Sequence, residues 1–336
     1  MPAIITDDSQ PQAPTYVGSP LVSVVIEAYN HRDYIERCLR GIAMQQVDFA
    51  YEVLVGEDCS PDGTARVLRD LACDFPDNFT FILRDKNLGG SGNGQDLWRR
   101  VRGRYCAFVE GDDFWTDPEK LRKQVDYLQA NPDCSGVYAK VQVVGEDSLP
   151  NGERYPECPL ADYTYREFFY SALPGHWSTL MVRWPEFYSH YLDFCHMKTY
   201  GSYPGDRRNA FILLSIGRIH CLPDVTGAYR HVKHKGTSYS ARTRFDEAYA
   251  ENEVRYGRSL VEYSRAHGSP EAMETARRTC YRFLLKWSVG KVKVRKLGET
   301  LKEILHQPRW YAYLFAPIQW YTVLALRMLR GRPIDL

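Results

Sequence analysis

The sequence contains no C-x-x-C pair. Its nine cysteines are scattered singly at positions 38, 59, 73, 106, 134, 158, 195, 221 and 280, and their number is odd. This excludes a paired structural zinc site and a disulfide framework, and implies reduced, mostly buried thiols in a cytoplasmic setting. The N-terminus has neither a basic n-region nor an apolar h-region, so no secretory leader is expected. Residues 1–20 are polar and proline-rich and are expected to form a disordered tail. An excess of one charge is also missing. The net charge of +1 removes the electrostatic argument for a nucleic-acid partner. The uncharged segment Trp310–Leu326 is 17 residues long and includes Pro317 and Gln319, short of the roughly 20 apolar residues that a membrane span needs. There is no internal repeat and no low-complexity run.

What is present begins with length and pattern. The 336 residues suggest about two domains, and a hydrophobic fraction of 44% is ample for a core. Leu21–Ile26, Tyr51–Gly56, Phe79–Leu83 and Arg104–Phe108 are short apolar, β-branched or aromatic runs, as buried parallel strands require. Between them lie helical patterns: Ile35, Leu39 and Ile42 behind a candidate cap at Asn30, and a helix from Thr64 to about Phe75. A glycine-rich loop at Asn87–Gly94 precedes a third helix, and a fourth runs from Asp117-Pro118 to about Ala130. The alternation implies a doubly wound, mostly parallel sheet. Ligands of such sheets bind beyond the carboxyl ends of the strands. Past residue 134 the pattern is irregular, with strands expected at Ser135–Val144, His176–Arg183 and Ile219–His231. Helices are expected at Tyr163–Ala172, after Gly205-Asp206, and from residue 243 onward.

One stretch concentrates chemistry. The apolar strand at Arg104–Phe108 runs on into Val109-Glu110-Gly111-Asp112-Asp113, three carboxylates within four residues. Carboxylates so close repel one another unless a cation or protonation relieves them. Mg²⁺ is commonly held by one or two carboxylates together with substrate phosphates. Gly111 permits a sharp turn and close approach to a ligand. Read by itself, the cluster could equally be a solvated acidic turn. The glycine run Gly89-Gly90-Ser91-Gly92 could cradle phosphate through backbone N–H groups or be a plain turn. It lacks G-K-[ST] and is no P-loop.

Together these stretches resemble the family 2 glycosyltransferases, which have the GT-A fold. Val22–Leu39 is similar to the family's opening strand and V-S-V-I-I-P-T-Y-N. Val53–Thr64 resembles D-D-x-S-x-D-G-T, Asn87–Asn93 the N-x-G and R-N segment, and Phe108–Lys120 the D-x-D region with W-x-D-P. Gly205-Asp206, Tyr229-Arg230 and His234–Ser238 resemble the acceptor-side end. The chain departs from the pattern at Glu27-Ala28, at Glu57 and at Glu110. The resemblance implies an α/β fold, a Rossmann-like GT-A domain over residues 21–240, followed by a helical C-terminal region over 241–336. It implies an inverting enzyme that moves a sugar from a nucleotide diphosphate donor, UDP being expected, to a hydroxyl acceptor in surface glycan synthesis.

In that reading Ala28, Tyr29, Asn30 and Asp58 hold the nucleoside. Asn87, Asn93, Glu110, Gly111 and Asp113 complete the donor site. Asp112 and His234 bind Mn²⁺ or Mg²⁺, and Asp206 is the general base. Trp115 and Trp177 are read either as lining for the sugar or as core. A sugar-phosphate nucleotidyltransferase would place an arginine-containing glycine loop after the first strand, where this chain has Glu27–Asn30. A non-catalytic nucleotide-sugar-binding protein would not need Asp206. The partners expected are a nucleotide sugar and a glycan or glycolipid acceptor, without nucleic acid. Residues 286–336 carry ten Lys/Arg against three acids, a net +7 that leaves −6 for residues 1–285. Six aromatics between basic flanks make residues 308–330 a candidate for peripheral contact with the inner face of a membrane, with intramolecular or dimer packing as the alternative.

Overall fold

The structure is a computed structural model that describes residues 2–6, 19–156, 158–200, 205–232, 246–290 and 294–329. In chain order the first elements are β1 (Ala3–Thr6), β2 (Val22–Ala28), α1 (Ile35–Ala43), β3 (Tyr51–Glu57), α2 (Thr64–Leu71), β4 (Phe79–Leu83) and α3 (Gly90–Arg100). There follow β5 (Tyr105–Glu110), β6 (Phe114–Trp115), α4 (Lys120–Ala130), β7 (Cys134–Val144), β8 (Asp162–Tyr163), α5 (Tyr165–Phe169), β9 (Met181–Arg183) and α6 (Trp184–Cys195). The last are α7 (Gly205–Ile216), β10 (Arg218–Arg230), α8 (Glu247–His267), α9 (Pro270–Gly290), α10 (Val294–Leu305), α11 (Trp310–Leu314) and α12 (Ala316–Leu329).

The sheet runs β1-β4-β3-β2-β5-β9-β7-β10-β6, with β8 paired to β10 off this path. β1 to β5 are parallel neighbours, and β9 and β6 are antiparallel to theirs. This is the mixed, mostly parallel α/β architecture that the apolar runs imply. Register sets the site: Glu27 pairs with Gly56 on one side and Glu110 on the other, so three strands end at one level. Ile35, Cys38, Leu39 and Ile42 of α1 are fully buried against Val24, Ile26, Val53 and Val55. That apolar stripe anchors the helix, since burying each such side chain contributes about 1.5–3 kcal/mol.

The chain forms two compact units. The first is Met1–Tyr155, Gly175–Tyr188 and His220–His231, and the second is Pro156–Pro174, Ser189–Ile219 and Val232–Leu336. The segments of the two units interleave along the chain. In the second unit Tyr281, Leu285, Ile304 and Tyr313 form a small apolar cluster. Glu253 is buried in the same unit and takes an ion pair from Lys286 at 3.0 Å and a hydrogen bond from the Trp287 indole.

Several local expectations are corrected. Residues 3–6 are not a disordered tail: Ile4, Ile5 and Thr6 are β-branched and extend the sheet beside β4. Asn30 does not cap α1, which starts at Ile35 with Tyr34 as its cap, while Asn30 takes a left-handed φ of 61°. The glycine stretch is a loop only as far as Gly89; from Gly90 it is the opening of α3. α4 begins at Lys120, because Asp117 accepts from the Glu119 N–H through its side chain and from the Lys120 N–H through its carbonyl. His176–Arg183 is a 3₁₀ turn at Trp177–Thr179 followed by the three residues of β9.

Candidate active site

In the first unit, polar residues collect where β2, β3 and β5 end. Two backbone bonds tie these ends together: Gly111 N–H donates to Glu27 C=O at 2.9 Å, and Asp58 N–H to Ala28 C=O at 3.0 Å. Gly111 is required by packing, since a Cβ there would lie 2.7 Å from His31 Nδ1 and 2.9 Å from Ile35 Cδ1.

Past β5 the two aspartates differ. Asp113 is buried and accepts from Arg230 N–H at 2.8 Å and from the Ser178 hydroxyl. Burial, and next the charge of Asp112, push its carboxyl well above the usual range, against the pull of Ser178 and Arg230. His176 Nδ1 lies 3.4 Å from Asp113 Oδ2 and accepts from Ser178 N–H at 3.2 Å. Burial lowers this imidazole to about 3, so it is neutral, and its single lone pair, which accepts from Ser178 N–H, would have to be given up by that N–H to serve a metal ion. Glu110, Asp113 and His176 bring their donor atoms within 4.8 Å of one another, a group able to hold a divalent ion. The donor set fits such an ion, since carboxylates repel without one and an imidazole suits a transition metal. Asp112, about a third exposed, reaches instead to His31 Nε2 at 3.7 Å.

Arg230 fastens this end of the sheet. Its guanidinium donates to the carbonyls of Asp112, Gly145 and Glu146, each at 2.9 Å, and to Ser148 Oγ at 2.8 Å. It also lies 4.1 Å over the Tyr34 ring. An arginine is needed here: a lysine has one donor centre and could not reach four acceptors in a plane.

On the nucleoside side Ala28 is buried and Tyr29 half-buried. Asn30 N–H donates to Ser60 Oγ at 2.9 Å, and Asn30 Oδ1 is buried with no hydrogen-bond partner. Asp58 is buried and accepts from Leu88 N–H at 2.7 Å through one carboxylate oxygen. Asn87 supports it, donating to Asp58 C=O at 2.8 Å and accepting from Gly89 N–H at 2.9 Å. Asn93 lies deeper, donating to Gly56 C=O at 2.9 Å and accepting from Arg84 at 3.3 Å. Burial, with the charge of Asp58, pushes Glu27 up to about 7. Gly94 makes room for that carboxylate, which lies 2.7 Å from where a Cβ would stand. Glu57 is fully buried; one carboxylate oxygen accepts from Ser60 N–H at 2.8 Å and the other has no partner.

Trp115 is core: it is buried, donates to Ser178 C=O at 2.8 Å and carries Lys120 Nζ 4.0 Å above its ring. Trp177 is half-buried and stacks on Phe108 at 4.3 Å. Asp206 belongs to the second unit. It sits within the first turn of α7 and does not precede the helix as a cap, and burial raises its carboxyl against the opposing pull of Arg208. His234 lies outside the described residues. Sequence reasoning missed His176 and Ser178, which sit in a stretch read as an ordinary strand. It met Arg230 only as part of a motif.

Residues 23–183 match the family model described as Glycosyl transferase family 2. This stretch, just under half of the chain, is similar to the family 2 glycosyltransferases. An uncharacterised protein of Mycobacterium tuberculosis is 40% identical over 135 residues, 40% of this chain and 39% of the relative. The chain thus spans about two fifths of the length of the mycobacterial relatives it matches. A Bacillus subtilis protein named as a teichuronic acid biosynthesis glycosyltransferase, TuaG, is 30% identical over 131 residues, 39% of this chain and 50% of that protein. Staphylococcus aureus TarS, solved with UDP-GlcNAc, superposes with a TM-score of 0.59 at 18% identity over 94% of this chain and 93% of that one, which shows the GT-A-type fold. Among the described residues no helix is long and apolar enough to cross a membrane.

Proposed function

We propose that the protein is an inverting glycosyltransferase that moves a sugar from a nucleotide diphosphate donor, UDP in the first instance, to a hydroxyl acceptor in a surface glycan or glycolipid. The observation that carries this reading is the joined set of strand ends. Acidic and imidazole donors at Glu110, Asp113 and His176, with Asp112 next in sequence, gather at the end of β5, and open acceptors at Asn30 and Glu57 stand at the ends of β2 and β3. The likeness to TarS, whose structure holds UDP-GlcNAc, supports the donor class, and the TuaG likeness supports a surface-glycan acceptor.

In this reading Tyr29, Asn30 and Asp58 bind the nucleoside, Asp58 accepting a base N–H through the oxygen that Leu88 does not use. Asn87 and Asn93 hold Asp58 and the end of β3 in position. Mn²⁺ or Mg²⁺, when bound, supplies Lewis acidity that offsets charge on the departing diphosphate. Glu110, Asp113 and His176 would hold it, with Asp112 as a further ligand. Asp206 removes the acceptor proton; its raised carboxyl suits a base that must pick up a proton near neutral pH. Peripheral contact with a membrane through residues 308–330 belongs to the same reading.

The deciding experiment titrates a panel of nucleotide sugars with and without Mn²⁺, and then measures hydrolysis and transfer. Metal-dependent binding of a UDP-sugar and its turnover are expected. Binding without turnover toward any hydroxyl acceptor would leave a nucleotide-sugar-binding protein, and absence of binding would overturn the reading.

A further inference from the structure

Exposed large hydrophobic side chains are unevenly spread. Of the twelve among the described residues, Trp310, Tyr311, Phe315, Ile318, Tyr321 and Leu326 fall in 17 consecutive positions of the second unit. The same short stretch also has an inner side, where Tyr313 and Ala316 are buried and the Tyr313 ring packs 5.3 Å from Tyr281. Ile318 and Tyr321 are three residues apart on α12 and share one of its faces. The stretch is therefore anchored from within and apolar on its outside as well. Aromatics exposed in this way are characteristic of segments lying at a lipid–water interface.

A second observation lies in the same unit. A cavity of about 160 Å³ is lined by Arg258, Arg265 and Arg277, with Glu262 and Glu303 as its acids. Both acids are engaged. Glu262 accepts from Thr199 N–H at 3.2 Å and Thr199 Oγ1 at 2.6 Å, and Glu303 pairs with Arg258 at 3.3 Å. Arg265 and Arg277 form no ion pair among the described residues, although Arg277 is hydrogen-bonded to Tyr313. Gln307, which also lines the cavity, stands three residues before Trp310. Arg277 shares the Tyr313 hydroxyl with Glu274, and the lining carries Glu262 and Glu303, yet three guanidiniums against these two lining acids, two of them outside any ion pair, suit a phosphate group.

We propose that this cavity and the outer side of α11 and α12 form one docking site for an anionic phospholipid surface, with Arg265 and Arg277 taking a headgroup phosphate and the exposed aromatics entering the interface. Charge favours this occupant over a second copy of the chain. Residues 286–336 carry a net +7, which complements an anionic leaflet and would repel itself across a symmetric dimer. A free phosphate would explain the arginines but not the aromatics. The proposal deepens the membrane contact included in the proposed function and rests on that part of it, but its test uses no donor, so its failure and that of the transfer reaction are told apart.

The test is flotation of the full chain with vesicles of phosphatidylcholine alone or mixed with phosphatidylglycerol. The protein is expected to float with the anionic vesicles only, and less as salt rises. Arg265→Glu with Arg277→Glu, and separately Tyr311→Ser with Phe315→Ser, should each lower the bound fraction roughly tenfold or more. Arg265→Gln, at an exposed position and mild in structure, should lower it roughly fivefold and guards against a variant that fails to fold. Equal flotation on neutral vesicles, or none on either, overturns the proposal. So does binding of inorganic phosphate without vesicle binding. A dimer in light scattering that is lost in Tyr311→Ser with Phe315→Ser also overturns it, and assigns the face to a second copy.

Discussion

The two units display their chemistry in opposite ways. In the first, polar groups are drawn inside at the ends of apolar strands, and the central ones are paired: Asp113 by Ser178 and Arg230, Asp58 by Leu88, Asn93 by Arg84 and Gly56. The buried atoms left open in this unit include His31 Nδ1, Asn78 Oδ1 and Thr226 Oγ1, but two acceptors, Asn30 Oδ1 and Glu57 Oε2, stand at the strand ends where the donor is proposed to bind. In the second unit the buried carboxylate Glu253 is answered by Lys286 and Trp287, and the anomaly lies outside, in aromatic rings left facing water. The difference shows where to look: for an unsatisfied polar group inside one unit, and for an unsatisfied apolar face outside the other.

The comparison can be broken most severely at Asp206, the chemical group assigned to the second unit. Asp206→Asn keeps size and one acceptor oxygen but cannot take a proton. It is expected to slow transfer about 10²–10⁴-fold in kcat while leaving UDP affinity and melting temperature near wild type. Normal turnover would return that unit to a purely structural and surface role. Next in size is Tyr313→Ala, which removes a buried ring from the helical cluster and should cost about 3–5 kcal/mol in chemical denaturation.

Asp113→Ala comes third. It leaves Ser178 Oγ and Arg230 N–H without their acceptor and should cost about 1–3 kcal/mol, together with loss of Mn²⁺-dependent UDP binding. Asp112→Ala should weaken the same binding while the melting temperature holds, because its side chain is partly exposed. Fourth is the pH response of Glu27. Its carboxyl titrates near 7 in the folded chain against about 4.5 when unfolded. The folded state then holds the extra proton between these values, so stability is greatest below about pH 4.5 and declines as pH rises toward 7. The decline from this group should be about 1–2 kcal/mol, discounted because the residue is only partly buried, and Glu27→Gln should remove it from the wild-type-minus-variant curve. Smallest is Tyr311→Ser, expected to shift stability by no more than about 0.5 kcal/mol despite deleting an aromatic ring.

Legibility followed the same division. The strands of the first unit could be read because burial on both faces forces continuous apolar runs, and their acidic ends because nothing apolar can follow at a ligand-facing edge. The start of α1 could not, since Asn30 looks like a cap while its left-handed backbone serves a turn. His176 and Ser178 escaped because their role arises only when the 3₁₀ turn before β9 comes beside β5, a pairing between residues 65 positions apart. The helical unit yielded its elements but not its grouping, because segments 156–174 and 189–219 join it by tertiary packing that no local period announces. Its aromatic stretch was visible in the sequence. That one side of it is buried and the other bare was not.

Strand β1 supplies only four residues, yet it closes one border of the sheet by pairing Ala3–Thr6 with Thr80–Leu83. Beneath it β4 reads Phe-Thr-Phe-Ile-Leu, a run with no charge and no proline to discourage further pairing. An uncovered strand of that composition is a template for edge-to-edge association. The first residues of the chain thus act as a guard on solubility. A shortened protein beginning at residue 19 would keep every side chain of the strand-end site, yet it would expose a ready surface for self-assembly. Adding a lysine on β4 would be the simplest way to restore its good behaviour in solution.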